Sequence, residues 1–132
     1  MKFETNQVKG KGRGKVLGFP TINLKIPLGF EIKNGIYAVI VTVFGRIYKG
    51  ALHYGPIPTF NETEKSLEVY LIGLKDYGLT LNQNKFGSGQ ADYGFKTIKV
   101  EVIKYLRPII KFKTEEKLIN QIKKDIKAVL AI

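Results

Sequence analysis

From Ser66 to Ile72 the chain alternates strictly, with Leu67, Val69 and Leu71 on one side and Glu68, Tyr70 and Ile72 on the other. Such a period of two predicts a half-buried β-strand. Ile98 to Leu106 repeats the pattern with Ile98, Val100 and Val102. The strongest β signal is IYAVIVTV followed, after a break centred on Gly45, by RIYKGAL. Two β-rich runs around so short a break predict a hairpin spanning Ile36 to Tyr48 and beyond. Thr21 to Ile26 alternates more weakly, as a short edge strand would. Pro27 to Gly35 reads as a long connection ending in an Asn34-Gly35 turn signal. GPIPTF (55–60) is expected to be irregular, because its two prolines remove ladder donors.

The period changes near the end. Leu118, Ile119, Ile122, Ile126, Val129 and Leu130 fall on one stripe of a helix from Glu115 to Leu130. Thr114 is a natural N-cap, and Glu115 and Glu116 complement the positive end of the helix dipole. Between the alternating segments, Gly73 to Thr97 is rich in Gly and Asn and reads as a long loop, with LTL (79–81) as a candidate short strand. Several short strands followed by one helix predict a mainly β chain, a small antiparallel barrel with a C-terminal helix packed on it.

At 132 residues, a single domain covering 1–132 is expected. The chain has no Cys, which excludes disulfide frameworks, thiolate metal sites and cysteine nucleophiles. One His, His53, argues against a His-rich metal site or a Ser–His–Asp triad. Met1 to Lys15 is polar and basic, without the apolar core of a secretory signal. No apolar run approaches the roughly 20 residues of a membrane helix, so a cytoplasmic protein without membrane partners is expected. The formal net charge of +11 points to anionic partners, nucleotide or nucleic acid, without choosing between them.

Three places carry candidate chemistry. GKGRGK (10–15) fails both common phosphate fingerprints, since Lys15 precedes Val16 and stands where the last Gly of GxGxxG would be. What remains is a pliable backbone with Lys11, Arg13 and Lys15, suited either to an anion nest or to a basic surface turn. In FPTIN (19–23), Thr21 and Asn23 project to one side of an extended segment, as ligands for a hard cation or as solvated strand residues. Glu68 is a lone carboxylate within a strand, and by itself it supports nothing; Arg107 is similarly ambiguous. His53 reads as a packing or surface residue.

Together, VKGKGRGKVLGFPTINL (8–24), NGIYA (34–38), GPIPTF (55–60), SLEVYLI (66–72), KVEVIKYLRPIIKF (99–112) and TEEKLINQIKKDI (114–126) resemble the riboflavin kinase family in order and in most spacings. The resemblance covers nearly the whole chain. It implies a six-stranded antiparallel Greek-key barrel with a C-terminal helix, and transfer of the ATP γ-phosphate to the 5′-hydroxyl of riboflavin to give FMN. By resemblance, Gly10, Gly12, Arg13, Gly14 and Lys15 form the loop over the ATP phosphates. Thr21 and Asn23 hold Mg²⁺, or another divalent cation, and phosphate oxygens. Glu68 matches the catalytic base. Arg107, Phe112 and Thr114 match the flavin-contacting region, and Tyr93 matches a tyrosine near the nucleotide.

The chain departs from the family pattern in two places. The connection after the Glu68 strand is expanded, so that Asp76-Tyr77-Gly78 offers a second match for the nucleotide-site tyrosine. After Arg107-Pro108 stand Ile109 and Ile110, where the family tends to have an acidic and basic pair. FPTIN favours an ATP-using rather than a CTP-using type. The adenylyltransferase half of bifunctional relatives is not expected, nor are nucleic-acid partners, and a monomer is. Two other readings stand beside this one: a basic β-barrel that binds single-stranded nucleic acid, and a flavin-binding relative without turnover.

Overall fold

A computed structural model describes residues 1–9, 18–60, 64–74 and 97–132. The Gly-rich positions Gly10 to Lys15, the candidate tyrosines Tyr77 and Tyr93, and the possible strand at 79–81 lie outside the described residues. Six strands are described: β1 (Lys2–Val8), β2 (Ile22–Leu24), β3 (Gly35–Val43), β4 (Arg46–Gly55), β5 (Ser66–Leu71) and β6 (Thr97–Arg107). One helix, α1 (Glu115–Leu130), follows. The strands close into an antiparallel barrel in the order β1-β2-β5-β4-β3-β6, with β6 pairing back onto β1. β3, β4 and β5 are successive neighbours and β6 returns beside β3, which is Greek-key connectivity.

The alternation seen in sequence fills the barrel. Leu67, Val69 and Leu71 of β5 meet Val39, Val41, Leu52, Ile22, Ile98 and Val100 inside it, all essentially inaccessible to water. Each such side chain contributes about 1.5–3 kcal/mol of burial, as an upper bound. The break between β3 and β4 is a two-residue loop in which Phe44 (φ 53°) and Gly45 (φ 71°) both take left-handed backbone. That is the hairpin turn whose twist matches its strands.

Two features differ from the sequence expectation. β1 lies in the segment that reads only as polar and basic. Its inward positions are Phe3 and Thr5, and the Thr5 hydroxyl donates to the Lys25 carbonyl. A hydroxyl satisfied by backbone takes the place of a second large apolar side chain, so no hydrophobic alternation marks the strand. Asn34-Gly35 does not close a hairpin turn. Gly35 opens β3 where β6 crosses it, and a Cβ there would lie 2.5 Å from Tyr105 Cε1 and 2.7 Å from the Arg107 carbonyl oxygen. Close approach, not turn geometry, calls for glycine at that position.

α1 begins where the sequence predicts. The Thr114 hydroxyl accepts from the Lys117 amide at 3.2 Å, and Glu115 and Glu116 occupy the first turn. The helix packs against β4 and β3. Its inner face is not purely apolar: Val129 is buried, Leu130 is 53% exposed, and Asp125 is buried in the middle of the stripe. Arg107, at the end of β6, accounts for this. Its Nε and Nη2 donate to the two Asp125 carboxylate oxygens, each at 2.8 Å. Gln121 Nε2 adds a third donor at 3.1 Å. A fork of this kind fixes where the helix sits against the barrel.

Candidate active site

The strand registers align five outward-facing residues in a row across the barrel wall. Asn23 on β2 pairs with Glu68 on β5, Glu68 with His53 on β4, His53 with Ile36 on β3, and Ile36 with Arg107 on β6. Directly paired residues point to the same face. Because Leu67, Val69, Leu52 and Tyr54 face inward, Glu68 and His53 must face outward. All of the row except Asn23 lines one cleft of about 160 Å³.

The rest of that cleft comes from three other segments. Ile57, Pro58 and Thr59 form one wall, in and beside a single 3₁₀ turn at Pro58–Phe60. Ile109, Ile110 and Phe112 form another, and Leu118 and Ile122 of α1 face them. Phe19 and Tyr70, in edge contact with centroids 5.7 Å apart, stand at the Glu68 end. The two loops are tied together, since the Phe112 amide donates to Thr59 Oγ1 at 3.0 Å. The walls are predominantly apolar and aromatic, with Thr21, Glu68 and His53 towards one end of the row and the Arg107–Asp125 pair at the other. This suits a flat heteroaromatic ligand with a polar tail.

Glu68 is held in place by hydroxyls. Thr21 Oγ1 donates to Oε1 at 2.8 Å and Ser66 Oγ donates to Oε2 at 3.1 Å. A carboxylate has about four acceptor positions, so both oxygens retain capacity for a further donor. Sequence reasoning missed Ser66; its place two residues before Glu68, on the same strand face, is the signal that would have found it.

Arg107 lines the cleft, but its guanidinium is engaged by Asp125, and Nη1 donates to the Pro108 carbonyl at 3.0 Å. Its Cζ also lies 5.9 Å from the centroid of the Phe112 ring. It therefore braces the Phe112 wall as a cation against an aromatic face. Thr114 is not among the cleft-lining residues and serves as the helix cap. Asn23 stands one strand beyond Glu68 in the row. Thr21, Glu68, Arg107 and Phe112 thus line one cleft, Asn23 stands beside Glu68 without lining it, and Thr114 is near it in sequence only.

A family model described as "Flavokinase: Riboflavin kinase" matches residues 1–132. The chain belongs to the riboflavin kinase family. Among its relatives in that family, the RNA-binding riboflavin kinase RibR of Bacillus subtilis is 34% identical over 92% of this chain and 46% of its own length. The bifunctional riboflavin kinase/FMN adenylyltransferase of the same organism is 32% identical over 89% of this chain and 34% of its own. The chain therefore spans less than half of these two curated relatives. Human riboflavin kinase is 31% identical over 90% of this chain and 72% of the human protein. A crystal structure of riboflavin kinase from Trypanosoma brucei superposes with a TM-score of 0.53 at 20% identity, covering 98% of this chain and 78% of that one. A macrolide-efflux protein from Streptococcus pneumoniae superposes with a TM-score of 0.74 at 23% identity, covering 97% of this chain and 38% of that one. Both likenesses concern the barrel fold. Among the described residues no helix is long and apolar enough to cross a membrane.

His53 is a cleft residue that the sequence alone left without a role. Its Nε2 lies 3.3 Å from the Pro56 carbonyl oxygen, which can only accept, so Nε2 carries the proton. Burial lowers the pKa of the imidazole below its usual 6.5, against the opposing pull of the Glu68 carboxylate; the Arg107 charge lowers it further. The folded chain thus binds this proton less readily than the unfolded chain. Stability is full above pH 6.5 and falls as pH drops through 6.5 towards the lower folded-state value. Urea unfolding across this range should show that slope in the unaltered chain and a flatter one in His53→Asn. Equal slopes in the two proteins would contradict the assignment.

Proposed function

We propose that this chain transfers the γ-phosphoryl group of ATP to the 5′-hydroxyl of riboflavin, giving FMN and ADP. The observation that carries this reading is a carboxylate, Glu68, anchored by two hydroxyls at one end of a largely apolar cleft. The isoalloxazine ring lies between Ile57, Phe112 and the Leu118–Ile122 face, and the ribityl chain runs to Glu68. Glu68 accepts the proton of the terminal hydroxyl as its oxygen bonds the γ-phosphorus and the bridge to the β-phosphate breaks. The transition state is loose, so the protein's contribution is alignment and charge stabilisation. The basic positions Arg13 and Lys15 supply the latter in this reading, by resemblance to the family.

The residues present fit a divalent cation. Thr21 and Asn23 offer hard neutral oxygens beside a carboxylate, and a Mg²⁺ shared with nucleotide phosphates needs few protein ligands. With the Thr21 proton committed to Glu68, its oxygen has lone pairs to offer. When bound, the cation neutralises charge on the phosphates. Thr21→Ala therefore removes a ligand and a Glu68 donor together. Its half-saturating Mg²⁺ concentration in a turnover assay should rise by about ten-fold, the loss of one charge-assisted contact. An unchanged Mg²⁺ dependence would remove Thr21 from the metal site.

The test of the reaction is riboflavin-dependent conversion of ATP to ADP. The net charge of +11, and a relative named for RNA binding, favour nucleic-acid binding as a second reading. Retention of single-stranded RNA that falls steeply with salt, with no ADP formed, would favour that one.

A further inference from the structure

His53 Nδ1 is buried and, among the described residues, has no hydrogen-bond partner. Leaving such an atom unpaired is costly, and proteins seldom do so without a use for it. The ring lines the cleft and faces it beside Glu68. With Nε2 donating to Pro56, Nδ1 presents a lone pair and acts as an acceptor. It therefore calls for a ligand group that donates.

Its position narrows the choice. Neighbouring strands lie about 4.8 Å apart, so Glu68 and His53 present two acceptors one strand spacing from each other. Ile36, the next residue in the row, is apolar, and the aromatic and aliphatic walls begin there. A ligand with one hydroxyl at Glu68 and a flat ring among those walls must pass its linker over His53. In a polyol linker, secondary hydroxyls recur along the carbon chain within that span.

We propose that His53 Nδ1 accepts a hydrogen bond from a secondary hydroxyl of the ribityl chain, making His53 the residue that selects a polyhydroxylated tail over a plain alkyl alcohol. This rests on the riboflavin-phosphorylating reading of the same cleft. His53 takes no proton in the transfer; it sets the path of the chain so that the terminal oxygen reaches Glu68. A site with a buried acceptor rejects the analogue that cannot donate to it, because the acceptor stays unpaired.

The experiment compares kcat/KM for riboflavin and for a flavin whose ribityl chain is replaced by 5-hydroxypentyl, which keeps only the terminal hydroxyl. Three proteins are assayed: the unaltered chain, His53→Leu, and His53→Asn, whose side-chain oxygen sits near the position of Nδ1. In the unaltered chain riboflavin should exceed the analogue by about ten-fold. His53→Leu should lose about that factor with riboflavin while changing the analogue by no more than about two-fold. His53→Asn should restore most of the preference. Equal losses with both flavins, or no loss with either, would overturn the proposal, and so would an unaltered chain that does not prefer riboflavin. If the unaltered chain phosphorylates neither flavin, the phosphotransfer reading itself fails, and this proposal falls with it. Unfolding midpoints confirm that each variant is folded; should His53→Leu not fold, His53→Gln, which keeps a donor for Pro56 but no acceptor at the position of Nδ1, takes its place with the same expected loss.

Discussion

Replacing Glu68 by Gln should lower turnover with riboflavin and ATP by about 10²–10⁴-fold, the usual contribution of a positioned general base. Riboflavin affinity should remain close to that of the unaltered chain. The reason lies in the contacts of the side chain. Thr21 and Ser66 donate to its two oxygens, at 2.8 and 3.1 Å. In the Gln variant the amide oxygen still accepts from one hydroxyl, and the other hydroxyl can rotate to accept from the new NH₂. Geometry is therefore preserved while basicity is lost, and the apolar walls that hold the ring are untouched. Single-turnover rates and fluorescence titration of riboflavin separate the two effects. A variant that binds poorly and turns over normally once saturated would make Glu68 a binding residue, not the base.

The second large effect is on stability. Asp125→Ala removes the carboxylate that meets Arg107, whose side chain is only 15% exposed, and leaves a cation there without its anion. Breaking such a pair costs about 3–5 kcal/mol, much of it the penalty of the uncompensated charge. The urea midpoint should fall accordingly, and α1 should be the first element to lose protection in hydrogen exchange. Combining Asp125→Leu with Arg107→Met replaces both partners by apolar groups, and most of the loss should be recovered. If the double variant is as unstable as the sum of its singles, the two side chains are not coupled and the argument from an uncompensated charge is wrong.

The β3–β4 hairpin and α1 are legible in the sequence because each has a local signature. IYAVIVTV and RIYKGAL flank a short break, and Thr114 caps a helical stripe with Glu115 and Glu116 behind it. β1 is not legible, because Thr5 fills an interior position with a hydroxyl bonded to backbone and Lys2, Glu4 and Asn6 are polar. Asp125 is hidden for a related reason: a charge within an apolar stripe makes sense only once Arg107 is known to meet it.

The candidate site divides in the same way. Alternation tells which face Glu68 occupies but not what lies across from it, since register depends on strand pairing that no single segment contains. Resemblance singles out Thr21, Asn23 and Glu68, and the barrel brings them side by side. His53 and Ser66 join them only through register and local geometry. The absence of a charged pair after Pro108 also becomes intelligible. Ile109 and Ile110 face the cleft, and Gly55, with φ of 131°, lets Ile109 pack where a Cβ would stand 2.5 Å from its Cδ1.

The most direct measurement is to incubate the chain and its Glu68→Gln variant with riboflavin, ATP and Mg²⁺, and to separate the flavins by chromatography. The expected result is FMN from the unaltered chain, one ADP for each FMN, and almost none from the variant over the same time. Riboflavin recovered unchanged from the unaltered chain despite saturable binding, or FMN formed equally well by the variant, would contradict Glu68-based phosphorylation of riboflavin.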